Sequence, residues 1–313
     1  MKIVVTGSSS HLASVLLPLL CEINEITLVE GIDVCKGDFQ HRKFKENILD
    51  IRDPNIATLM HRCDCVIHLA FIVLRSTLGR KRKNRELIFD INVNGSINVF
   101  QSAAAQSVKT IIHLSSAVVY GAWPENPDAI KETQKRKVMS GFSYAEDKNK
   151  VEDWLDKFEQ RNQIAVIRLR PHVILGPKSQ PFLLSLIKQP FYPRLPDPQP
   201  LLQCIWESDV ADAIVKSIHL QSSSILNLAA DPPISFKQMI QLSHKISIPV
   251  PMTLLKFIHQ SLWKISSIGE EPGWLNGMPY PLIIDASKAK KELDWTVKYS
   301  TEECIKNLQN KLM

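Results

Sequence analysis

The chain has 313 residues, of which 44% are hydrophobic and 22% are charged, a balance typical of a globular protein with a large core. Its net charge of +6 is mildly basic, but no nucleic-acid-binding motif and no basic stripe interleaved with aromatics is present, so we predict no nucleic-acid partner. The six cysteines are scattered, and Cys63-x-Cys65 is too short for a zinc pair, so we predict reduced thiols, no metal site and a cytoplasmic protein.

No apolar run reaches the ~18 residues of a membrane span. The chain begins directly with a strand pattern, Met1–Thr6, so we expect neither a signal peptide nor stable membrane insertion. The most apolar stretch, residues 251–268, carries Lys256, His259 and Lys264 and predicts an amphipathic helix. We expect it to face the core or the substrate, and contact with a membrane surface is the alternative.

Apolar runs typical of buried strands alternate with helical patterns through the first half of the chain. The predicted strands are Lys2–Thr6, Ile26–Ile32, Phe44–Ile51, Cys65–Ala70, Thr110–Ser115 and Ala165–Arg170. The predicted helices are His11–Cys21, Pro54–Arg62, Arg85–Ala105 and Tyr144–Arg161.

This alternation predicts parallel βαβ units and therefore an α/β protein with a Rossmann-type doubly wound parallel sheet. We predict a dinucleotide-binding domain over residues 1–177, with residues 204–230 returning to it. The Pro-rich residues 178–203 and residues 231–313 would form a smaller substrate-binding lobe and a C-terminal helix. Ligands of such sheets bind at the carboxyl ends of the strands.

The first strand is followed by Gly7-Ser-Ser-Ser10-His-Leu-Ala13. Gly7 can form the tight bend of a dinucleotide-binding turn, while Ser10 and Ala13 occupy positions where glycines are usual. Both residues are small, and the N-terminus of the next helix still offers N–H groups to a pyrophosphate. The alternative is a serine-rich helix N-cap with no ligand.

Asp33 ends the second strand, 26 residues after Gly7. A carboxylate there can accept both ribose hydroxyls and would repel a 2′-phosphate, so we predict NAD in preference to NADP. Lys36 lies close enough to weaken this preference, and the alternative role of Asp33 is to form a turn before Gly37.

Tyr144-x-x-x-Lys148 lies in a predicted helix, where positions i and i+4 share a face. A phenol is a poor base at neutral pH, and a neighbouring ammonium group lowers the phenol pKa toward the working range. Ser116, at the end of a predicted strand 28 residues earlier, could hydrogen-bond the substrate oxygen that Tyr144 serves. The alternative is a surface Tyr and a surface Lys on an exposed helix.

Over nearly its whole length the sequence resembles extended short-chain dehydrogenases/reductases of the NAD-dependent epimerase/dehydratase family, in particular a UDP-glucose 4-epimerase-like subgroup. The motifs that carry the resemblance are Thr6-Gly7, Asp33, Asp50-Ile51, His68-Leu-Ala70, Asn92-Val-Asn-Gly95, Ser116-Ala-Val-Val-Tyr120-Gly121, Tyr144-x-x-x-Lys148, Arg170-Pro171 to Gly176-Pro177, Ser208-Asp209 and Asp285-x-Ser-Lys288.

The resemblance implies that Tyr144 is the acid/base, that Lys148 holds the nicotinamide ribose and lowers the Tyr144 pKa, and that Ser116 orients the substrate oxygen. Asn92 would support the active-site helix and its proton relay. The implied NAD-binding residues are Gly7, Ser10, His11, Leu12, Asp33, Asp50, Ile51, Leu69, Ala70, Tyr144, Lys148 and Pro171. A homodimer is also implied, through a four-helix contact built from residues 85–105 and 144–161.

Three departures from the family pattern shape the functional prediction. Ser10 and Ala13 replace two family glycines; Ala117-Val118 replace the Asp-Glu pair of sugar dehydratases; and Val173 replaces the Asn of many nucleotide-sugar epimerases.

We therefore predict an NAD-dependent epimerase-type oxidoreductase that acts on a secondary alcohol or ketone of a small molecule, with a nucleotide sugar as the candidate. One alternative is an NAD(P)-dependent dehydrogenase or reductase of a more hydrophobic substrate. The other is a non-catalytic NAD(H)-binding sensor or scaffold.

Overall fold

The computed structural model describes residues 1–73, 85–177, 190–195, 199–266 and 271–311. Of the Pro-rich stretch assigned by prediction to the lobe, residues 178–189 and 196–198 lie outside the described residues.

A parallel sheet of seven strands forms the centre of the molecule, in the order β11-β6-β5-β4-β1-β2-β3. Its strands are β1 Lys2–Thr6, β2 Leu28–Asp33, β3 Phe44–Ile48, β4 Cys65–His68, β5 Thr110–Leu114, β6 Ala165–Pro171 and β11 Ser224–Leu228. The strand order departs from β1 in both directions, as in a doubly wound sheet. The predicted Rossmann-type fold is therefore confirmed.

Helices cover both faces of the sheet, because successive strand residues point to opposite sides. On one face, Ile3 and Val5 pack with α1 (Ala13–Glu22), α6 (Glu207–Ser217) and α10 (Ser287–Glu292). On the other face, Val4 packs with α2 (Ile56–Leu59), α4 (Ser96–Ala105) and α5 (Ser143–Glu159). Residues 85–105, predicted as one helix, form α3 (Arg85–Phe89), a π-helix (Asp90–Gly95) and α4.

The chain returns to the sheet after leaving it, since β11 pairs with β6 at one edge. Outside the sheet, the described short strands form three pairs. β7 Val173–Leu175 pairs with β10 Cys204–Trp206, β8 Phe191–Arg194 pairs with β13 Ile246–Pro249, and β9 Leu201–Leu202 pairs with β12 Ile234–Ser235. The remaining helices are α7 Phe236–Leu242, α8 Met252–Ser266, α9 Pro272–Gly277 and α11 Thr301–Asn310, and a 3-10 helix spans Ala117–Tyr120. The division into a domain and a lobe stays a prediction.

Helix α8 corrects one part of an expectation, namely that the apolar stretch 251–268 faces the core, whereas its contact with the substrate stays a prediction. Residues 252–266 of this stretch form a helix, but each side chain described from residue 253 to 261 is exposed or half-exposed. Residues 267–268 lie outside the described residues. Phe257 exposes 69% of its surface, so this part of the helix does not pack into the core. In the described ranges, no helix is both long and apolar enough to cross a bilayer.

Candidate active site

The turn after β1 lies against the end of β4 at the carboxyl edge of the sheet. Gly7 has φ +72°, and a Cβ there would come within 2.7 Å of the Ala70 backbone nitrogen and 2.9 Å of the Leu69 carbonyl carbon. A glycine is therefore required for both the backbone angle and the close approach. The structure thus brings together Gly7, Leu69 and Ala70, three of the predicted NAD-binding residues.

The start of α1 offers polar groups at the same turn. The Ser10 hydroxyl accepts a hydrogen bond from the Ala13 N–H (3.3 Å), so this serine supports the turn as a small cap. Ser8 is buried, and its hydroxyl oxygen has no hydrogen-bond partner in the part of the chain that the structure describes. A buried hydroxyl beside a helix N-terminus fits a polar, anionic ligand group. His11 is exposed and Leu12 is half-buried on this turn.

Asp33 ends β2 beside that turn. One carboxylate oxygen accepts the Ser9 N–H (3.0 Å), and the other accepts the N–H groups of Val34 (2.7 Å) and Cys35 (3.3 Å). The side chain is half-exposed, so its remaining lone pairs can still reach a ribose. The turn-forming role and the ribose-binding role of Asp33 are therefore compatible.

Asp50 and Ile51 follow β3. The Asp50 carboxylate is paired with the Arg52 guanidinium (2.7 Å), and this hydrogen-bonded ion pair lowers the pKa of Asp50. Ile51 is buried, and a Cβ on Gly95 would meet its Cδ1 at 2.7 Å. Pro171 is buried at the end of β6, opposite Leu228.

Ser116, Tyr144 and Lys148 meet where β5 ends and α5 begins. Ser116 is buried directly after β5, and its hydroxyl shares a hydrogen bond with the Tyr144 phenol. Lys148, one turn further along α5, donates from Nζ to the Leu114 carbonyl at the end of β5 (2.6 Å). The three predicted catalytic residues are thus held by one strand end and one helix.

Burial shifts the pKa values of both Tyr144 and Lys148, and the expected lowering of the Tyr144 pKa by Lys148 stays a prediction. Burial raises the pKa of the Tyr144 phenol to about 12, although its hydrogen bond with Ser116 acts in the opposite direction. The Lys148 ammonium points to Leu114 and lies 5.9 Å from the centre of the Tyr144 ring. Burial also lowers the pKa of Lys148 to about 7, although the negative charges of Glu152 and Asp147 act in the opposite direction.

Asn92 lies in the π-helix, and it joins two parts of the site. Its amide donates to the Ile72 carbonyl (2.9 Å) and to Asp147 (3.0 Å), and its carbonyl accepts the Ile72 N–H (2.8 Å). Asp147 is fully buried beside Lys148 and forms a bidentate pair with Arg85. Asn92 therefore fixes α5 to the segment after β4, and its predicted role in the proton relay stays a prediction.

Glu152 was not predicted from the sequence. It lies eight residues after Tyr144 on the same face of α5. Glu152 is fully buried, pairs with Arg170 and Arg168, and accepts a hydrogen bond from Ser115 (2.6 Å). Burial opposes ionisation of Glu152, but the hydrogen bond and charge of Arg170 prevail and lower its pKa to about 2. The i, i+4, i+8 spacing from Tyr144 could have indicated this residue.

Phe71 and Glu271 were also missed. The Phe71 ring lies 3.7 Å from Lys148 Nζ and meets the Tyr144 ring edge-on at 5.5 Å, so it forms an aromatic wall beside both. The Glu271 carboxylate accepts from the N–H (2.8 Å) and hydroxyl (2.6 Å) of Ser143 at the start of α5. Phe71 directly follows the His-Leu-Ala motif, whereas no sequence signal connects Glu271 with Ser143.

A model of the NAD-dependent epimerase/dehydratase family matches residues 3–190, more than half of the chain. The chain belongs to this family. The predictions of an enzyme and of NAD as the cofactor are therefore confirmed at the level of the family, and the subgroup stays a prediction. The residues at the first turn fit a dinucleotide, since Gly7 permits close approach and Ser8 and Asp33 offer polar groups.

Relatives and solved structures extend the comparison beyond the family match. An uncharacterized protein of Mycobacterium tuberculosis (strain H37Rv) is 25% identical over 318 residues, covering 97% of this chain and 82% of that protein. The structure of MoeE5 with UDP-glucuronic acid and NAD is similar, with a TM-score of 0.78, 17% identity, and coverage of 100% and 99%. UDP-glucose 4-epimerase of Thermotoga maritima with UDP-glucose has a TM-score of 0.77, 19% identity, and coverage of 100% and 98%. At these identities the two solved structures show the fold.

The departures from the family pattern lie at distinct places in the site. Ala13 is fully buried in the core below the first turn, so the helix packs there without a glycine. Val173 exposes 42% of its surface after β6, next to His172, whose ring is hydrogen-bonded to the Leu282 carbonyl (2.8 Å). The apolar side chain at position 173 is therefore available to a ligand.

Proposed function

We propose that the protein is an NAD-dependent epimerase that transiently oxidises a secondary alcohol of a small molecule, with a nucleotide sugar as its substrate class. The observation that carries this proposal is the placement of Ser116 and Tyr144 beside each other where β5 ends and α5 begins, with Lys148 one helical turn away and bonded to the Leu114 carbonyl. NAD supplies the hydride acceptor and donor in this chemistry.

The side chains would divide the proton chemistry among them. Tyr144, acting as the phenolate, would take the proton of the substrate hydroxyl as the alcohol becomes a ketone, and would return it when the ketone is reduced on its other face. Ser116 donates a hydrogen bond to the substrate oxygen in both directions. Lys148 holds the ribose hydroxyls and supplies positive charge near the phenol, whose pKa burial raises to about 12.

The turn after β1 would hold the pyrophosphate, and Asp33 would accept the ribose hydroxyls. Gly7 allows the backbone to approach, and the Ser8 hydroxyl offers a buried polar contact. The Asp33 carboxylate would repel a 2′-phosphate, which supports NAD over NADP. Asp50 would contact the adenine, and Leu69, Ala70 and Pro171 would line the cofactor along the strand ends.

Similarity to structures solved with UDP-glucuronic acid and with UDP-glucose supports a nucleotide sugar. Ala117 and Val118 stand where sugar dehydratases carry acidic residues, which supports epimerisation over dehydration. The substrate would enter near Ser116 and Tyr144.

A second candidate, a dehydrogenase or reductase of a more hydrophobic substrate, is supported by the apolar surroundings of Tyr144. Phe71 and Phe142 both contact the Tyr144 ring, at 5.5 and 5.9 Å between centroids. Val173, which is 42% exposed, replaces a polar contact to a diphosphate. These side chains would suit an apolar alcohol or ketone.

Two measurements test the proposal. The purified protein is denatured and the released NAD, NADH, NADP and NADPH are quantified; an epimerase retains NAD(H) at about one per chain, because each cycle regenerates it. The native protein is then incubated with UDP-glucose, UDP-galactose and their uronic acids, and interconversion is followed by chromatography.

An empty protein that reduces added NAD with a hydrophobic alcohol would establish the second candidate. A protein that binds none of the four nucleotides would overturn both enzyme functions. Retained NAD(H) with no turnover of any tested alcohol would instead favour a sensor or scaffold.

A further inference from the structure

We propose that β8, β13 and α8 form a surface that binds the headgroup region of an anionic lipid bilayer. We call this the basic apolar surface, and its exposed apolar residues are Phe191, Ile246, Ile248, Leu254, Phe257 and Ile258. The inference goes beyond the proposed function, since binding to lipid requires neither NAD nor turnover.

Exposed apolar area is concentrated on this surface. Large hydrophobic side chains that expose more than a third of their surface number fourteen among the described residues, and six of them lie here. Three expose half or more of their area, namely Phe257 (69%), Ile246 (60%) and Phe191 (51%). Clustering of this kind marks an interaction site, whereas isolated exposed residues are ordinary.

The six exposed apolar side chains form two sets that follow each other along the chain. Ile246 pairs with Phe191 in the parallel register of β13 and β8, so the two side chains are neighbours, and Ile248 lies on the same face of β13. Leu254, Phe257 and Ile258 are spaced i, i+3 and i+4 on α8 and form one stripe. β13 ends at Pro249 and α8 begins at Met252, so the two exposed sets adjoin along the chain.

The charge of this segment specifies the partner. Residues 232–269 contain four lysines (Lys237, Lys245, Lys256 and Lys264) and no Asp or Glu, which places +4 of the chain's net +6 in these 38 residues. A segment that combines net positive charge with exposed Leu, Ile and Phe is typical of surfaces that lie in the membrane interface, where anionic headgroups attract lysine side chains. Two copies of the surface would bring like charges together, which argues against self-association through it.

The surface is connected to the active site. α8 is in contact with α9, and α9 begins after Glu271, which accepts hydrogen bonds from Ser143 next to Tyr144. The Gly273 N–H donates to the Gly141 carbonyl (3.1 Å) just before α5. Binding to a bilayer would therefore hold the start of the catalytic helix close to the membrane.

The test is sedimentation of the full-length purified protein with vesicles. Vesicles of phosphatidylcholine alone are compared with vesicles in which part of this lipid is replaced by phosphatidylglycerol. We expect the protein to pellet with the anionic vesicles and to be released by high salt, because the Debye length shortens.

Matched variants locate the contact. Phe257→Gln is expected to weaken partitioning about tenfold, and Lys245→Glu at least about fivefold. The controls are Leu19→Gln on α1, where Leu19 is 41% exposed, and Lys291→Glu on α10, where Lys291 is exposed; both should bind as the unmodified protein does. Circular dichroism and thermal unfolding establish that each variant is folded.

Three outcomes would overturn the proposal: absence of the protein from both vesicle pellets, equal loss of binding in the control variants, and a concentration-dependent dimer that Phe257→Gln dissociates. The last outcome would assign the surface to a second copy of the chain. None of these outcomes bears on retained NAD or sugar turnover, so this proposal and the proposed function fail separately.

Discussion

Helix α5 (143–159) is rich in charged residues, yet Asp147, Lys148 and Glu152 on it are buried, whereas α8 (252–266) is apolar, yet Phe257 on it is 69% exposed. The buried charges of α5 are stabilised by partners, since Glu152 meets Arg168 and Arg170 and Asp147 meets Arg85. The exposed apolar groups of α8 have no such compensation in the described part of the molecule. The difference teaches that burial on these two helices follows the neighbours that each side chain meets and not the mean hydropathy of the helix.

The largest expected effect is on catalysis by α5. Tyr144→Phe removes only the hydroxyl that shares a hydrogen bond with Ser116, so the helix should stay folded while the acid/base is lost. We expect kcat to fall by about 10²–10⁴-fold, measured with the substrate identified in the sugar-nucleotide assay. Tyr280→Phe is the matched control, because Tyr280 is 39% exposed and should retain full activity. Unchanged turnover in Tyr144→Phe would remove the catalytic assignment.

Glu152→Gln tests whether the buried charges of α5 depend on their pairing. The pKa of Glu152 is about 2, below its ordinary value of 4.5, so its stabilisation is fully present above about pH 4.5 and is lost as the pH falls toward 2. We expect the variant to lose about 3 kcal/mol of unfolding free energy at pH 7. The unfolding free energy of the variant should also fall less steeply than that of the unmodified protein as the pH is lowered from about 4.5 toward 2.

Urea unfolding at several pH values measures both effects of the Glu152 change. Asp153→Asn on the same helix is the control, since Asp153 pairs with Arg136 but is 45% exposed, and a loss below about 1 kcal/mol is expected. Equal losses of unfolding free energy in the two variants would mean that the buried ion pairs of Glu152 stabilise the protein no more than the exposed pair of Asp153 does.

The sequence predicted the sheet well because its signals are local. Most of the strand runs were apolar, and strands β1, β3, β4, β5 and β6 begin at the residues where the patterns placed them. Gly7, Ser116, Tyr144 and Lys148 could be found because each belongs to a short motif with a fixed place after a strand or on a helix.

The sequence could not predict contacts between residues that are far apart in the chain. The Glu271–Ser143 contact joins residues 128 positions apart, and neither residue has a neighbour that points to the other. The effect of burial on the Tyr144 pKa was not predicted, because burial depends on tertiary packing, which spacing does not report. For α8, an apolar pattern indicated a helix correctly but could not tell whether that helix is covered.

Lys148→Met tests the other buried charge of α5. Burial lowers the pKa of Lys148 from 10.5 to about 7, so between these pH values the unfolded chain binds one more proton than the folded protein. Stability should therefore rise with pH in this window, by about 2 kcal/mol between pH 7 and 9, and the variant should lose this rise. Urea unfolding of NAD-free protein at pH 7 and pH 9 measures this change in unfolding free energy. Lys150→Met, on the exposed side of the same helix, should keep the slope of the unmodified protein, and an unchanged slope in Lys148→Met would contradict the lowered pKa.

The smallest expected effect concerns Glu271, which connects the two regions. Its carboxylate caps the start of α5 through the Ser143 N–H and hydroxyl, where the helix dipole favours negative charge. Glu271→Gln should cost about 1 kcal/mol of unfolding free energy, and its effect should not add to that of Ser143→Ala, because the two residues share their hydrogen bonds. A double-mutant cycle by urea unfolding measures the coupling.

Glu302→Gln on α11, whose carboxylate pairs with Lys306, is the control, and its effect on the unfolding free energy should add fully to that of Ser143→Ala. Zero coupling for Glu271 would mean that the segment after α8 does not stabilise the catalytic helix, and the connection between the basic apolar surface and the active site would then rest on the Gly273–Gly141 contact alone.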